Sequence, residues 1–109
     1  MKLYVGGAYQ GQNELACQEN PGKALYPDFH ETIRSAVIAD GQDPFAFAEQ
    51  FCRDHPDAVV VADEVGAGVV PTEAEDRAFR EAAGRALCVI ARNSVEVTRC
   101  VCGIGVRIK

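Results

Sequence analysis

The sequence contains no tryptophan, a single methionine and few aromatic residues of any kind, 7% in all. A core built around large rings is thereby excluded. The 48% of hydrophobic residues must fill the interior mainly with Val, Ile, Leu and Ala, a mixture that suits a buried, mostly parallel sheet covered by helices. An excess of positive charge is also lacking: 11 Lys and Arg stand against 16 Asp and Glu, a net charge of −5. General nucleic-acid binding needs a basic surface that displaces counterions, and this balance argues against it. A small anion remains admissible, because backbone N–H groups hold phosphate without net positive charge. No apolar run approaches the length of a membrane span. The first residues form a strand-like run with one lysine rather than a leader, so the expectation is a cytoplasmic protein without a membrane partner. The 109 residues fit one domain, 1–109.

A cysteine framework is missing too. Cys17, Cys52, Cys88, Cys100 and Cys102 are odd in number and scattered. Cys100 and Cys102 fall at alternate positions of a predicted strand and so on one face, but no second pair or spaced histidine completes a zinc site. The expectation is no metal site, with the thiols buried and reduced.

What is present alternates regularly. A strand over residues 2–5 leads into a helix over 12–19, stopped by Asn20-Pro21-Gly22. A short strand at 24–26 precedes a helix over 29–38, with Asp28 as its cap and Phe29, Ile33 and Val37 recurring every four positions. Asp43-Pro44 opens a further helix with an apolar stripe of Phe45, Ala48, Phe51 and Cys52. Residues 58–62, AVVVA, read as a fully buried strand. After Asp63-Glu64 and a glycine loop at 66–68, Thr72-x-x-Glu75 forms a capping box. The helix behind it carries acid-before-base pairs at Glu73/Arg77, Asp76/Arg80 and Glu81/Arg85, with Phe79, Ala82, Ala83, Ala86, Leu87 and Ile90 as its buried stripe. Strands at 95–102 and 104–108 close the chain as an antiparallel pair around the Gly103-Ile104-Gly105 turn. This order implies a three-layer α/β domain, and ligands of such sheets bind at the carboxyl ends of the strands.

The chemistry-bearing features lie at those ends. Residues 3–13, LYVGGAYQGQN, run from a strand through a glycine loop into a helix. Gly6 and Gly11 have the spacing of the phosphate-binding loop G-x-x-x-x-G-K-[ST]. Gln12 stands where that loop has its lysine, and Asn13 where it has the hydroxyl that holds Mg²⁺. The residues that would cradle a nucleotide are therefore Gly6, Gly7, Ala8, Gly11, Gln12 and Asn13. Phosphoryl transfer should be severely weakened without the lysine charge. Asp63 and Glu64 follow a buried strand, where such enzymes keep a Mg²⁺-linked carboxylate, or else they are a solvated strand end. Asp28 is a further carboxylate candidate, with helix capping as the simpler role. His30 offers a nitrogen that could accept a phosphoryl or nucleotidyl group, although an ordinary helix-surface histidine is the expectation. His55 ends a helix.

Taken together, VVVADEVGAGVVP, AFREAAGRAL and CGIGVRIK resemble the end of the bifunctional adenosylcobinamide kinase / adenosylcobinamide-phosphate guanylyltransferase family of cobalamin assembly. Its pattern there is N-E-V-G-x-G-I-V-P, F-R-D-x-x-G-R-x-N-Q and S-G-I-G-x-x-I-K. The first residues, V-G-G-A-x-x-G, resemble the family's T-G-G-A-R-S-G-K-S. The resemblance spans about the first fifteen residues and everything from about Ala58. It implies a truncated P-loop NTPase-like α/β fold and GTP or ATP with Mg²⁺ as cofactors. It also implies a corrinoid substrate, a covalent guanylyl-histidine and a homo-oligomer. The departures are large. R-S-G-K-S is Tyr9-Gln10-Gly11-Gln12-Asn13, the Asn before E-V-G is Asp63, and N-Q is Leu87-Cys88. The H-H-[KR]-x-x-R segment of the guanylyl-accepting histidine does not occur, and His30 does not fall on it. One register sets 25–37 on a later strand of the family and matches Asp28 to its carboxylate. Three readings stay open: a diverged nucleotide-dependent transferase, a non-catalytic nucleotide- or corrinoid-binding module, and an oligomeric scaffold.

Overall fold

The computed structural model describes residues 1–65 and 73–109. The elements follow in the order β1 (Lys2–Gly6), α1 (Gln12–Glu19), β2 (Leu25–Tyr26), α2 (Phe29–Ile33), α3 (Pro44–Asp54), β3 (Val59–Asp63), α4 (Ala74–Asn93), β4 (Glu96–Val101) and β5 (Ile104–Arg107), and α2 runs on into a π-helical turn, Arg34–Ala39. The sheet order is β2-β3-β1-β4-β5. All neighbours are parallel except β4 and β5. The alternating α/β order and the antiparallel ending are therefore as the sequence implies. The glycine loop 66–68, Pro71 and the Thr72 half of the capping box lie outside the described residues.

The strands alternate between two cores. Leu3, Val5, Val60, Ala62 and Val97 face α2, α3 and α4, packing on Phe29, Ile33, Ala48, Ala86 and Ile90. Tyr4, Val59, Val61 and Cys100 face α1 through Ala16 and Leu15. The apolar run of β3 is thus buried on both sides, as a parallel strand requires. The scarce rings gather at one place: Phe29 sits 4.6 Å from Phe51 and 6.0 Å from Phe47, and Tyr26 meets Phe51 edge-on at 5.1 Å. This cluster joins β2, α2 and α3.

Several local expectations need correction. On α3 the core-facing stripe is buried Ala48 with partly buried Phe47, Phe51 and Cys52, while Phe45 is 37% exposed. The true stripe follows the i, i+1, i+4, i+5 spacing of one helix face. Asp43 does cap α3, accepting a hydrogen bond from the Ala46 N–H at 2.9 Å. Asp28 does not cap α2 with its side chain; it stands in the left-handed region at φ 51°. The helix expected over 29–38 widens into the π turn, to which the four-residue spacing of Phe29, Ile33 and Val37 is well matched. Of the predicted pairs along α4, Glu81 and Arg85 form an ion pair, and Asp76 also lies 3.7 Å from Arg34 on the π-helical turn. Leu87 is only partly buried. Cys17, Cys88 and Cys102 are exposed rather than buried. Cys102 also leaves the face of Cys100, because positive φ at Cys102 (52°) and Gly103 (76°) makes the tight hairpin turn between β4 and β5. Burial pushes the Cys52 and Cys100 thiols up, so both stay protonated at neutral pH.

Two positions anchor the sheet beneath the glycine loop. A Cβ on Gly6 would meet the Cys100 carbonyl oxygen at 2.6 Å, so β1 and β4 approach this closely only with glycine there. Gly6→Ala is expected to destabilise the domain by about 1–3 kcal/mol, read as a lower midpoint in urea. On the α1 side, the buried Tyr4 hydroxyl donates to Glu19 Oε1 at 2.7 Å and accepts from Asn20 Nδ2 at 3.0 Å. Burial, then the bond to Glu19, pushes its pKa up from 10.0 to about 12. The neutral phenol is therefore favoured by folding. Its contribution is complete below the ordinary value and is lost as pH rises through about 12. Tyr4→Phe should cost about 1–2 kcal/mol near neutral pH. Denaturation midpoints of the two proteins should converge as pH rises past the unfolded value.

Candidate functional site

The cleft lies where the topology puts it. β1 is central, and its connection crosses to the β2 side over one face of the sheet. The connection after β3 crosses to the β4 side over the other face. Connections that diverge in this way leave a crevice at the carboxyl ends of β1 and β3. The register brings Gly6 directly beside Asp63 on one side and Cys100 on the other. A cleft of about 700 Å³ opens there, lined by the loop, the start of α1, the end of β3, and Asp28, His30 and Glu31 from the start of α2.

Gln12 is the centre of this site. It is the first residue of α1 and is only 5% exposed. Its Nε2 donates to the carbonyls of Gly6 (3.2 Å) and Gly7 (3.0 Å) and to Asp63 Oδ1 (3.1 Å). Three acceptors around one atom identify it as the amide nitrogen. The Gln12 side chain is thus turned inward, closing the loop on itself and on β3. Gly11 caps α1 at φ 84°, and Leu15 N–H bonds to its carbonyl at 3.1 Å.

The loop is tied on its other side to the β4–β5 turn. Gln10 Oε1 accepts from Cys102 N–H and the Gln10 carbonyl from Gly103 N–H, both at 2.8 Å. The hairpin turn, to which no functional reading attached in the sequence, is therefore part of the loop's frame, and Gly103 lines the cleft. No local signal marks this contact, since its partners are 92 residues apart.

His30 is not a surface residue; its side chain is 12% exposed. Its Nδ1 accepts from the Asp63 N–H at 3.1 Å, so the neutral ring carries its proton on Nε2. That nitrogen lies 3.7 Å from Asp63 Oδ2 and 3.8 Å from Glu31 Oε1. Asp63 is therefore held between Gln12 and His30, with its carboxylate directed into the cleft. Glu64 turns elsewhere: its N–H donates to the Gly6 carbonyl at 2.8 Å, and its carboxylate lies 3.9 Å from Arg99. Asp28 and the exposed Asn13 reach the cleft, as do Ala8 and Gly11; Gly6 and Gly7 do not line it, and their carbonyls are taken up by Gln12. Of the four catalytic candidates, the structure brings Asp28, His30 and Asp63 together and separates Glu64.

The electrostatics are one-sided. Glu14, Asp28, Glu31 and Asp63 line the cleft, and among the described residues no Lys or Arg does. No group of three or more His, Cys, Asp or Glu among the described residues is arranged to hold a metal ion.

Residues 30–108 match the CobU family, described as cobinamide kinase / cobinamide phosphate guanyltransferase. The chain belongs to this family. It is 36% identical over 80 residues to the bifunctional adenosylcobalamin biosynthesis protein CobU of Escherichia coli (strain K12), an alignment covering 73% of this chain and 42% of that protein. The chain thus spans less than half the length of this curated relative. The family match takes in α2 and α3 as well as the C-terminal half, and it begins after the glycine loop. It includes His30, Asp63 and the Gly103 turn. Among the described residues no helix is long and apolar enough to cross a membrane.

The Gln12 contacts have a measurable weight. Gln12→Ala removes three hydrogen bonds and leaves the Gly7 carbonyl without this partner, at a cost of about 1–3 kcal/mol. Asp63→Asn should cost less, because its amide oxygen still accepts from Gln12. Urea denaturation of the two variants should rank them in that order.

Proposed function

We propose that this chain binds a purine nucleotide, GTP or ATP, as its Mg²⁺ complex at the glycine loop. It is read as a diverged, P-loop-like member of its family in which phosphoryl transfer is weak or lost, and the corrinoid intermediate of that family is the second ligand. The observation that carries this reading is Gln12. It occupies the lysine's place with a neutral, buried amide already bonded to Gly6, Gly7 and Asp63.

Magnitudes separate binding from catalysis. The N–H groups of the first α1 turn lack helical partners and favour an anion. Each bond from such a donor to a charged oxygen is worth about 1.5–3 kcal/mol. Against this, a like-charge pair 8 Å apart costs on the order of 2 kcal/mol at an effective dielectric of about 20. Four carboxylates line the cleft. A bare triphosphate is therefore disfavoured, while a nucleotide that arrives with its own divalent cation is not. Asp63 and Asn13 both line the cleft and carry oxygen donors of the kind Mg²⁺ takes, and the cation would neutralise the phosphates it arrives with. Nothing in the cleft replaces the lysine charge that stabilises a transferring phosphoryl group.

Isothermal titration should show MgGTP or MgATP binding that disappears when EDTA removes the cation. A phosphorylation assay on adenosylcobinamide should give turnover far below the roughly 10 s⁻¹ typical of enzymes. Gln12→Lys/Asn13→Ser should raise that turnover if only the loop chemistry has been lost. No binding at millimolar nucleotide would sink the reading, and ordinary wild-type turnover would refute the loss of catalysis.

A second reading, assembly into a homo-oligomeric scaffold, is favoured by the sheet edge. β5 is a terminal strand exposed along its whole length. Ile104 and Val106 stand uncovered on it, and such edges tend to pair.

A further inference from the structure

Tyr9 has two properties that seldom coincide. It is 101% exposed, the fullest exposure among the large hydrophobic side chains of the described residues. It also sits in the left-handed region at φ 61°, which bulky non-glycine residues rarely occupy. A strained conformation persists only where the surroundings impose it, and here the imposing contacts are identifiable. On the C-terminal side, Gln10 is fixed to the Cys102 and Gly103 N–H groups by two bonds of 2.8 Å. Its Nε2 also reaches back to the Ala8 carbonyl at 3.4 Å, spanning the tyrosine. Gln12, two residues further, is locked to Gly6, Gly7 and Asp63. The loop thus holds a large ring in water, at the border of the cleft it lines, with no packing in return.

We infer that Tyr9 is a stacking platform for the flat, conjugated base of the ligand. The inference rests on the nucleotide reading above and names the part of the ligand that this loop recognises. The chemistry favours a ring over a charge at this point. Four carboxylates line the cleft, and among the described residues no Lys or Arg joins them, so recognition through the phosphates alone is weak. A tyrosine face instead recognises a base by dispersion and π-stacking, independently of charge. A fixed backbone on both sides of Tyr9 means that little chain entropy is lost when the ring is covered. The ring is also short of alternatives, because Tyr4 is buried in its bonds to Glu19 and Asn20 and Tyr26 bonds His55 at 3.0 Å.

The test uses the whole chain with MgGTP and, separately, with uncharged guanosine and adenosine as probes. Tyr9→Ala, which removes no internal contact, should fold as wild type, confirmed by its urea midpoint. Its affinity for MgGTP should fall roughly 5- to 150-fold, the range for loss of one base–aromatic stack. Tyr9→Phe should keep the affinity. In two-dimensional aromatic NMR spectra, the Tyr9 ring protons should move upfield on adding guanosine, while those of Tyr4 and Tyr26 stay in place. Equal MgGTP affinity in wild type and Tyr9→Ala, or no upfield shift at Tyr9, overturns the platform and leaves the nucleotide reading standing. Failure of the wild type to bind MgGTP or either nucleoside overturns both.

Discussion

The amide of Gln12 joins the three parts from which the site is made. It reaches the end of β1 through the Gly6 carbonyl, the loop through Gly7, and the end of β3 through Asp63. Each of these parts is positioned for its own reason. Gly6 is required by the close approach of the Cys100 carbonyl, and Asp63 is delivered by the parallel register of β3. Without the amide, the Gly7 carbonyl would lose this partner, the Gly6 carbonyl would keep only the Glu64 N–H, and the Asp63 carboxylate would lose the Gln12 donor. His30 depends on the same junction, since its Nδ1 is oriented by the Asp63 N–H. A neutral side chain is therefore sufficient to hold the loop to the ends of both strands.

Family membership and site geometry bear on different halves of the chain. The match to the cobinamide kinase / cobinamide phosphate guanyltransferase family covers residues 30–108. It thus includes the strand that supplies Asp63 and the hairpin turn that braces the loop. The loop itself precedes the match, and its relation to the rest is a matter of contact: Gln10 to Cys102 and Gly103, Gln12 to Asp63. These contacts explain why the glycine loop has a defined shape. Its brace comes from the part of the chain in which the family pattern is retained.

What could be read from the sequence was what short stretches decide alone. The apolar run before Asp63 is long enough and β-branched enough to be a buried strand in almost any context. The Asp43-Pro44 start of α3 uses a cap and a proline at positions that only a helix N-terminus favours. The span of α1 followed from the loop before it and Asn20-Pro21-Gly22 behind it. What could not be read was decided by distant partners. His30 looked like a surface residue because its acceptor role is set by a backbone N–H 33 residues away. Phe45 and Phe47 are both apolar and near in sequence, and only the aromatic cluster with Phe29 selects Phe47. Cys102 seemed to share a face with Cys100 because alternation says nothing about where a strand turns. The candidate site was half legible: its glycines and carboxylates were visible, but the inward direction of Gln12 and the exposure of Tyr9 were not.

Charge decides how independent the loop is of its ligand. A lysine at position 12 would bring an ammonium into a space bounded by two carbonyls and one carboxylate. Its stability there would rest on an anion, either Asp63 or a bound phosphate, and the loop and its ligand would be energetically coupled. A glutamine needs no counter-charge. Its two N–H groups are satisfied by Gly6, Gly7 and Asp63, so the loop is complete before any ligand arrives. Among the described residues no Lys or Arg lines the cleft, although Arg34 stands 3.9 Å from Glu31 at its border. A preformed loop reduces the ordering cost of binding, whereas an acidic cleft lining penalises a ligand according to its net negative charge. The two effects pull apart the properties that a lysine unites. The loop keeps its shape without phosphate, and under the proposed nucleotide reading affinity would rest less on the phosphate's charge than on what else the ligand presents.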